Sequence, residues 1–241
     1  MAKIHTTLQG KGGVGKSLIA TTIAQYKVNK GQIPLCIDTD PVNASFAGFK
    51  VLNVKRLEIL EGDEINTRNF DMLIEMIAAS PDDVVIDNGA SSFVPLSHYL
   101  ISNDVPSLLK SIGHELVVHT VVTGGQSLFD TVSGFAQLTK QFPDETVFIV
   151  WLNPLWGPIE SEGKNFQEMK AYKENRERVS AIIEIPTLKA ETFGRDLTEM
   201  LQDRLTFNEA IDNPDRTIMT RQRLAIIKNQ LFNQLDIATV L

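Results

Sequence analysis

Gly10-Lys11-Gly12-Gly13-Val14-Gly15-Lys16-Ser17 packs two lysines, four glycines and a hydroxyl into eight residues, a set suited to gripping a polyphosphate. Glycines let successive backbone N–H groups turn inward onto phosphate oxygens. A lysine neutralises charge, and a serine hydroxyl can ligate Mg²⁺. The residues expected against the phosphates are Gly12, Gly13, Val14, Gly15, Lys16, Ser17 and Leu18. Lys11, where the loop enters its glycine turn, is a second cation beyond what the pattern needs.

Three other places carry chemistry. Asp38-Thr39-Asp40-Pro41 puts two carboxylates at alternate positions of an extended segment, where they could share a face and approach Mg²⁺ or an attacking water; a solvated turn is the plainer alternative. Asp87, directly after Val84-Val85-Ile86, suits an outer partner of the metal through the Ser17 hydroxyl or a water. Asn88 to Ser92 would follow it as a flexible loop near a terminal phosphate. Asn153-Pro154 and Ile185-Pro186-Thr187-Leu188 are candidate base-pocket segments, since an amide both donates and accepts, as reading an adenine edge requires.

These groups need a scaffold, and the apolar runs supply one. Lys3 to Leu8, Pro34 to Ile37, Asp83 to Ile86, Thr146 to Leu152 and Ala181 to Ile185 read as strands. Leu18 to Tyr26 has helical apolar spacing closed by Gly31. The glycine loop therefore falls between a strand and a helix N-terminus, where free N–H groups and the macrodipole favour an anion. Strand–helix alternation continues to about residue 185. It predicts a doubly wound, mostly parallel α/β sheet with helices on both faces and ligands at the carboxyl ends of the strands. With no linker or repeat, residues 1–241 are expected to form one domain, with a helical region from about 190 to 241.

Composition narrows the function. A net charge of −7 argues against a surface coated in basic charge for nucleic acid. The N-terminus enters a strand without a signal-like segment, and no apolar run approaches the roughly 18 residues that cross a bilayer; a cytoplasmic location is expected. The lone Cys36 sits in an apolar run and reads as core. His5 and His119 fall in strands, His98 and His114 on helix or loop, without metal-ligand spacing. Trp151 and Trp156 flank the Asn153 loop, for packing or as pocket walls. Leu224, Ile227, Leu231 and Leu235, with Arg221, Arg223 and Lys228 nearby, predict an amphipathic helix that packs on the domain, or meets a membrane or DNA.

Taken together, the Lys11 to Ser17 string, the Asp38-Thr39-Asp40-Pro41 turn, Asp87 and Asn153 resemble the deviant Walker A ATPases of the ParA/MinD type over about residues 1–190. The resemblance implies ATP and Mg²⁺ as cofactors and an ATP-dependent homodimer in which Lys11 reaches the partner's phosphates. It also implies that Lys16 grips phosphate in its own subunit, Asp40 positions the hydrolytic water, Ser17, Asp38 and Asp87 serve the metal, and Asn153 contacts adenine. Preference for ATP over GTP rests on this resemblance, and Asn153-Pro154-Leu155-Trp156 does not match the Asn-Lys-x-Asp of guanine readers. The whole chain is similar to a family of plasmid conjugal-transfer proteins, notably in Cys36 to Ala44, Ile86 to Leu96 and Trp151 to Pro154. That similarity implies an accessory ATPase working with the conjugation machinery, its relaxosome or its secretion system. Val42-Asn43 and Asn88-Gly89 depart from partition ATPases, which carry Gln-Gly-Asn and Thr-Pro there.

The expected activity is slow, partner-stimulated ATP hydrolysis controlling dimerisation. The alternatives are a partition or protein-positioning ATPase, and an ATP-binding scaffold with negligible turnover. A small-molecule kinase or ligase would need a second substrate constellation, which the sequence does not define. An iron protein would need cluster cysteines.

Overall fold

A computed structural model describes residues 1–238 and 241, and the short apolar runs form the strands of one sheet. Its strands are β1 (Ala2–Thr7), β2 (Leu35–Asp38), β3 (Lys55–Arg56), β4 (Val84–Asp87), β5 (His114–Thr123), β6 (Val147–Asn153) and β7 (Val179–Glu184). They lie in the order β7-β6-β5-β1-β4-β2-β3, and every pairing is parallel. Parallel neighbours cannot be joined by tight turns, so the chain crosses between them through helices.

These helices are α1 (Lys16–Asn29), α2 (Phe70–Ala78), α3 (Phe93–Ser102), α4 (Val105–Ser111), α5 (Leu128–Gln141), α6 (Lys170–Asn175), α7 (Arg195–Gln202), α8 (Phe207–Asp212) and α9 (Ile218–Ile237). Two hairpins decorate the loops, Leu60–Glu61 with Glu64–Ile65 and Glu160–Ser161 with Lys164–Asn165.

Successive strand residues point to opposite faces, and burial follows that period. Val85, Val117, Val121, Ile149 and Trp151 join a core layer with Ile23 of α1 and Leu224, Ile227 and Leu231 of α9. Val84, Ile86, Leu116, Val118 and Phe148 join the layer on the other face with Phe70, Leu73, Leu96, Leu109 and Leu138. The sheet is thus covered by helices on both faces, as the alternation predicted, and the strand ends are left to form a site.

The last helix settles as a packing element. Leu224, Ile227, Leu231 and Leu235 are fully buried, each stabilising by roughly 1.5–3 kcal/mol through removal from water. Two of its three basic groups have internal partners: Arg223 pairs with Asp196 of α7, and Lys228 Nζ donates to Asn208 Oδ1 at 2.8 Å. No helix among the described residues is long and apolar enough to cross a membrane.

One local expectation is corrected. His114 opens β5 rather than lying on a helix or loop, because Ala2 pairs with it in the extended β1–β5 register. The two strand histidines meet: His5 Nδ1 lies 3.0 Å from His119 Nε2, and the Trp151 indole N–H donates to His119 Nδ1 at 3.0 Å. Because His119 Nδ1 accepts, neutral His119 carries its proton on Nε2 and donates to His5. Burial, aided by Lys27, holds His119 down to about 3. Burial and then His119, Lys27 and Lys3 hold His5 well below the usual imidazole range. Trp151, buried with them, is core rather than pocket wall.

Candidate functional site

The glycine loop leaves β1 at Thr7 and is fixed at both ends. Leu8 N–H continues the ladder to His119 O at 2.9 Å. Gln9 turns inward: its Nε2 donates to Val121 O at 2.9 Å and to Thr131 O at 3.2 Å, and its Oε1 accepts from Lys11 N–H. At the other end Gly15 stands at φ 102 as the residue before α1, a conformation L side chains rarely adopt. A Cβ there would also lie 2.9 Å from Asn153 Nδ2. The Asn153 amide braces the loop, donating to Val14 O at 2.9 Å and accepting from Leu155 N–H at 3.2 Å.

Lys16 folds back over this loop, its Nζ donating to Lys11 O at 3.0 Å. Burial lowers its pKa, against the attraction of Asp87 and Asp40. Lys11 instead points away and pairs with Asp130 Oδ2 of α5 at 2.9 Å, both side chains partly in solvent.

The carboxylates divide their tasks. Asp38, expected beside a metal, does not line the cavity. It is fully buried, and its oxygens accept from the backbone N–H of Asp40 at 3.0 Å and of Ala47 at 2.9 Å. It thus shapes the loop after β2. Burial raises its pKa against these hydrogen bonds. Asp40 reaches the cavity, with Oδ1 accepting from Val42 and Asn43 N–H, while its carboxylate packs on Gly89.

Asp87 accepts from the Thr7 hydroxyl at 3.0 Å through Oδ1, and its buried Oδ2 has no hydrogen-bond partner. Burial pushes this carboxyl up to about 7, with Asp38 adding. The nearby Ser17 hydroxyl, Thr7 and Lys16 oppose the shift. An unpartnered buried carboxylate oxygen is costly, and its position beside Ser17 and Lys16 is what a divalent cation would relieve. Among the described residues no three His, Cys, Asp or Glu side chains form a self-sufficient metal cluster.

The segment after Asp87 is hydrogen-bonded at its two ends. Asn88 Oδ1 accepts from Ser92 Oγ at 2.7 Å and from Thr39 Oγ1 at 3.2 Å, and its own N–H donates to Thr7 Oγ1. The loops after β2 and β4 therefore share a hydrogen-bonded root.

All this surrounds a cavity of about 1110 Å³. One end is lined by Gly12, Gly13, Gly15, Lys16, Ser17 and Asp40, and the middle by Leu18, Asn153, Pro186 and Leu188. A further wall is built by α7 with Phe49 and Arg204. Of the expected site residues, Lys11, Val14, Asp38 and Asp87 lie outside this lining: Lys11 on Asp130, Val14 buried under the loop, and the two aspartates beneath it.

Sequence reasoning missed Thr7, Gln9 and Asp130. Thr7 and Gln9 flank the end of an apolar strand, and polar residues turned inward there were the available signal. Asp130 gave none, since its pairing spans 119 residues.

No protein-family model matches the chain. Two curated relatives from Escherichia coli, both named Protein TraL, are 72% and 70% identical over 241 residues, the full length of this chain and of each relative. Among solved structures, the MinC:MinD cell division protein complex of Aquifex aeolicus aligns over 96% of this chain and 96% of that one, at 15% identity and a TM-score of 0.56. The septum site-determining protein MinD complexed with Mg-ADP, from Pyrococcus horikoshii OT3, aligns over 98% and 96% at 16% identity and a TM-score of 0.56. At such identities the likeness establishes the fold, a P-loop α/β sheet of the MinD type, while the full-length identity establishes kinship. The chain belongs to the TraL family.

Proposed function

We propose that this protein is a Mg²⁺-dependent ATP-binding switch that dimerises around nucleotide, hydrolyses ATP slowly, and serves plasmid conjugal transfer as an accessory to the transfer machinery. The observation that carries this reading is the convergence of the glycine loop and the Lys16 ammonium at one end of a cavity, with the unpartnered Asp87 Oδ2 buried beneath them. Ser17 would hold the metal directly, and Asp87 would secure it from beneath. Bound there, Mg²⁺ would neutralise phosphate charge. The conjugation role is supported by membership of the TraL family together with the resemblance of the sequence to conjugal-transfer proteins.

The chain's own residues divide the work as follows. Backbone N–H groups of residues 12–18 and the α1 N-terminus cradle the phosphates, and Lys16 swings from the Lys11 carbonyl onto them. Asn153 keeps the loop in shape, and the Pro186 and Leu188 segment forms the apolar side of the base region. Asp40 orients water at the phosphate end. Lys11 leaves Asp130 to complete the site of a second subunit, so that assembly and charge stabilisation are coupled. On this reading the chain from residue 1 to 241 acts as one domain, its C-terminal helices bracing α1.

A second reading, an ATP-binding scaffold with negligible turnover, is favoured by one observation. Asp40 Oδ1 is committed to two backbone N–H groups, and its carboxylate is pressed on Gly89. Phosphate release by wild type, Lys16→Ala and Asp40→Asn, each with calorimetric ADP binding, separates the two. A switch binds ADP and releases phosphate, with Asp40→Asn losing turnover but keeping affinity. A scaffold binds without turnover.

A further inference from the structure

The cavity is larger than one nucleotide needs. Sites of about 300–1,000 Å³ enclose a ligand of drug size, and here about 1110 Å³ runs from the glycine loop to the wall made by α7. That wall has its own character. Its floor is apolar, with Phe49 and Leu197 buried and Leu201 half-buried beside them. Its rim carries Ser45, Thr198 and Arg204.

Two backbone features shape this wall. The turn leading into α7, Ala190–Gly194, is a π-helix, a rare form found frequently at functional sites. Arg204 stands at φ 56, a backbone state uncommon for a residue with a side chain. Its stem lies across Gly48, where a Cβ would come 2.9 Å from its Cγ and Cδ. This holds the guanidinium beside the Ser45–Phe49 turn. Among the described residues the exposed Arg204, like Arg68, Arg176 and Arg221, pairs with no carboxylate, while Arg56, Arg178, Arg195, Arg216 and Arg223 each do.

We propose that this end of the cavity is a second ligand subsite, taking a small organic anion whose apolar body rests on Phe49, Leu197 and Leu201 while its charged group meets the Arg204 guanidinium. A carboxylate, sulfonate or phosphate satisfies the guanidinium, and the fork geometry of arginine favours such planar or tetrahedral oxyanions. The loop that carries Ser45 and Phe49 also carries Asp40, so an occupant would touch the segment that lines the phosphate end. The subsite goes beyond the nucleotide reading and does not require hydrolysis.

The test uses 8-anilinonaphthalene-1-sulfonate, an aromatic body with one sulfonate, titrated by fluorescence against the full chain with and without saturating Mg²⁺-ADP. ADP affinity is measured separately by calorimetry, so a failure of the nucleotide reading is visible by itself. The subsite predicts one saturable probe per chain that persists with ADP and in Lys16→Ala. Arg204→Gln should weaken the probe about tenfold, the scale of a lost charge-assisted hydrogen bond, and Arg204→Lys should restore most of it. Thr198→Trp, at an exposed rim position, should block it, with the thermal unfolding of each variant matching wild type. Non-saturating binding, displacement in step with ADP, or unchanged affinity in Arg204→Gln overturns the proposal.

Discussion

The carboxylate of Asp40 lies so close to the α-carbon of Gly89 that a Cβ there would stand 2.6 Å from Asp40 Cγ. The two loops that line the phosphate end are therefore fitted to one another at a single point, and glycine is what makes the fit possible. Gly89→Ala, at a position with no positive φ, should fold normally but displace Asp40. Misplacing a group that orients a reactant by about 1 Å costs up to roughly 100-fold in rate. Phosphate release should fall by about 10–100-fold with ADP affinity within about threefold of wild type, as read by a coupled phosphate assay beside calorimetry.

Lys11 is held by Asp130 across a pair that is 41% and 59% exposed. Such pairs contribute about 0–1 kcal/mol, so Asp130→Asn should leave thermal stability almost unchanged. It should instead free Lys11, and dimerisation with an ATP analogue should appear at a several-fold lower protein concentration, measured by analytical ultracentrifugation.

Asn153 ties β6 to the glycine loop through Val14 O. Asn153→Ala removes the donor and leaves that carbonyl unpaired, at about 1–3 kcal/mol. Denaturant unfolding should report a loss in that range. Nucleotide Kd should rise about tenfold, since 1.4 kcal/mol is a factor of ten.

The His5–His119–Trp151 row makes a prediction about pH. His119 titrates near 3 in the fold because of burial and near 6.5 when unfolded. Its contribution is complete above about pH 6.5 and is lost as pH falls toward 3, because only the unfolded chain takes up the proton in that window. Between pH 7 and 5 this amounts to about 2 kcal/mol. Asp87, raised to about 7 by burial, acts oppositely, gaining stability as pH falls through 7. The difference between wild type and His119→Gln is therefore the informative quantity: wild type should lose about 2 kcal/mol more than the variant, followed by urea unfolding at both pH values.

Much of the site was legible because its parts are local. A glycine string between a strand and a helix, and carboxylates or an amide at strand ends, announce themselves within a few residues. The parallel sheet with helices on both faces and the family kinship followed the same signals. Asp38 illustrates what was not legible. Its type and place suggested a metal partner, yet which backbone N–H groups it meets depends on how residues 40–47 fold over it. Thr7, Gln9, Asp130 and Arg204 were hidden for a related reason: each acts on a residue brought to it by the sheet from far along the chain. The histidine pair became visible only through the β1–β5 register.

The central claim is that Lys11 couples nucleotide state to assembly. Light scattering on a sizing column, with wild type and Lys11→Ala at matched concentrations, each with Mg²⁺-ADP and with a non-hydrolysable ATP analogue, tests it directly. The account predicts a dimer only for wild type and only with the ATP analogue. Association that ignores both nucleotide and Lys11 would contradict it.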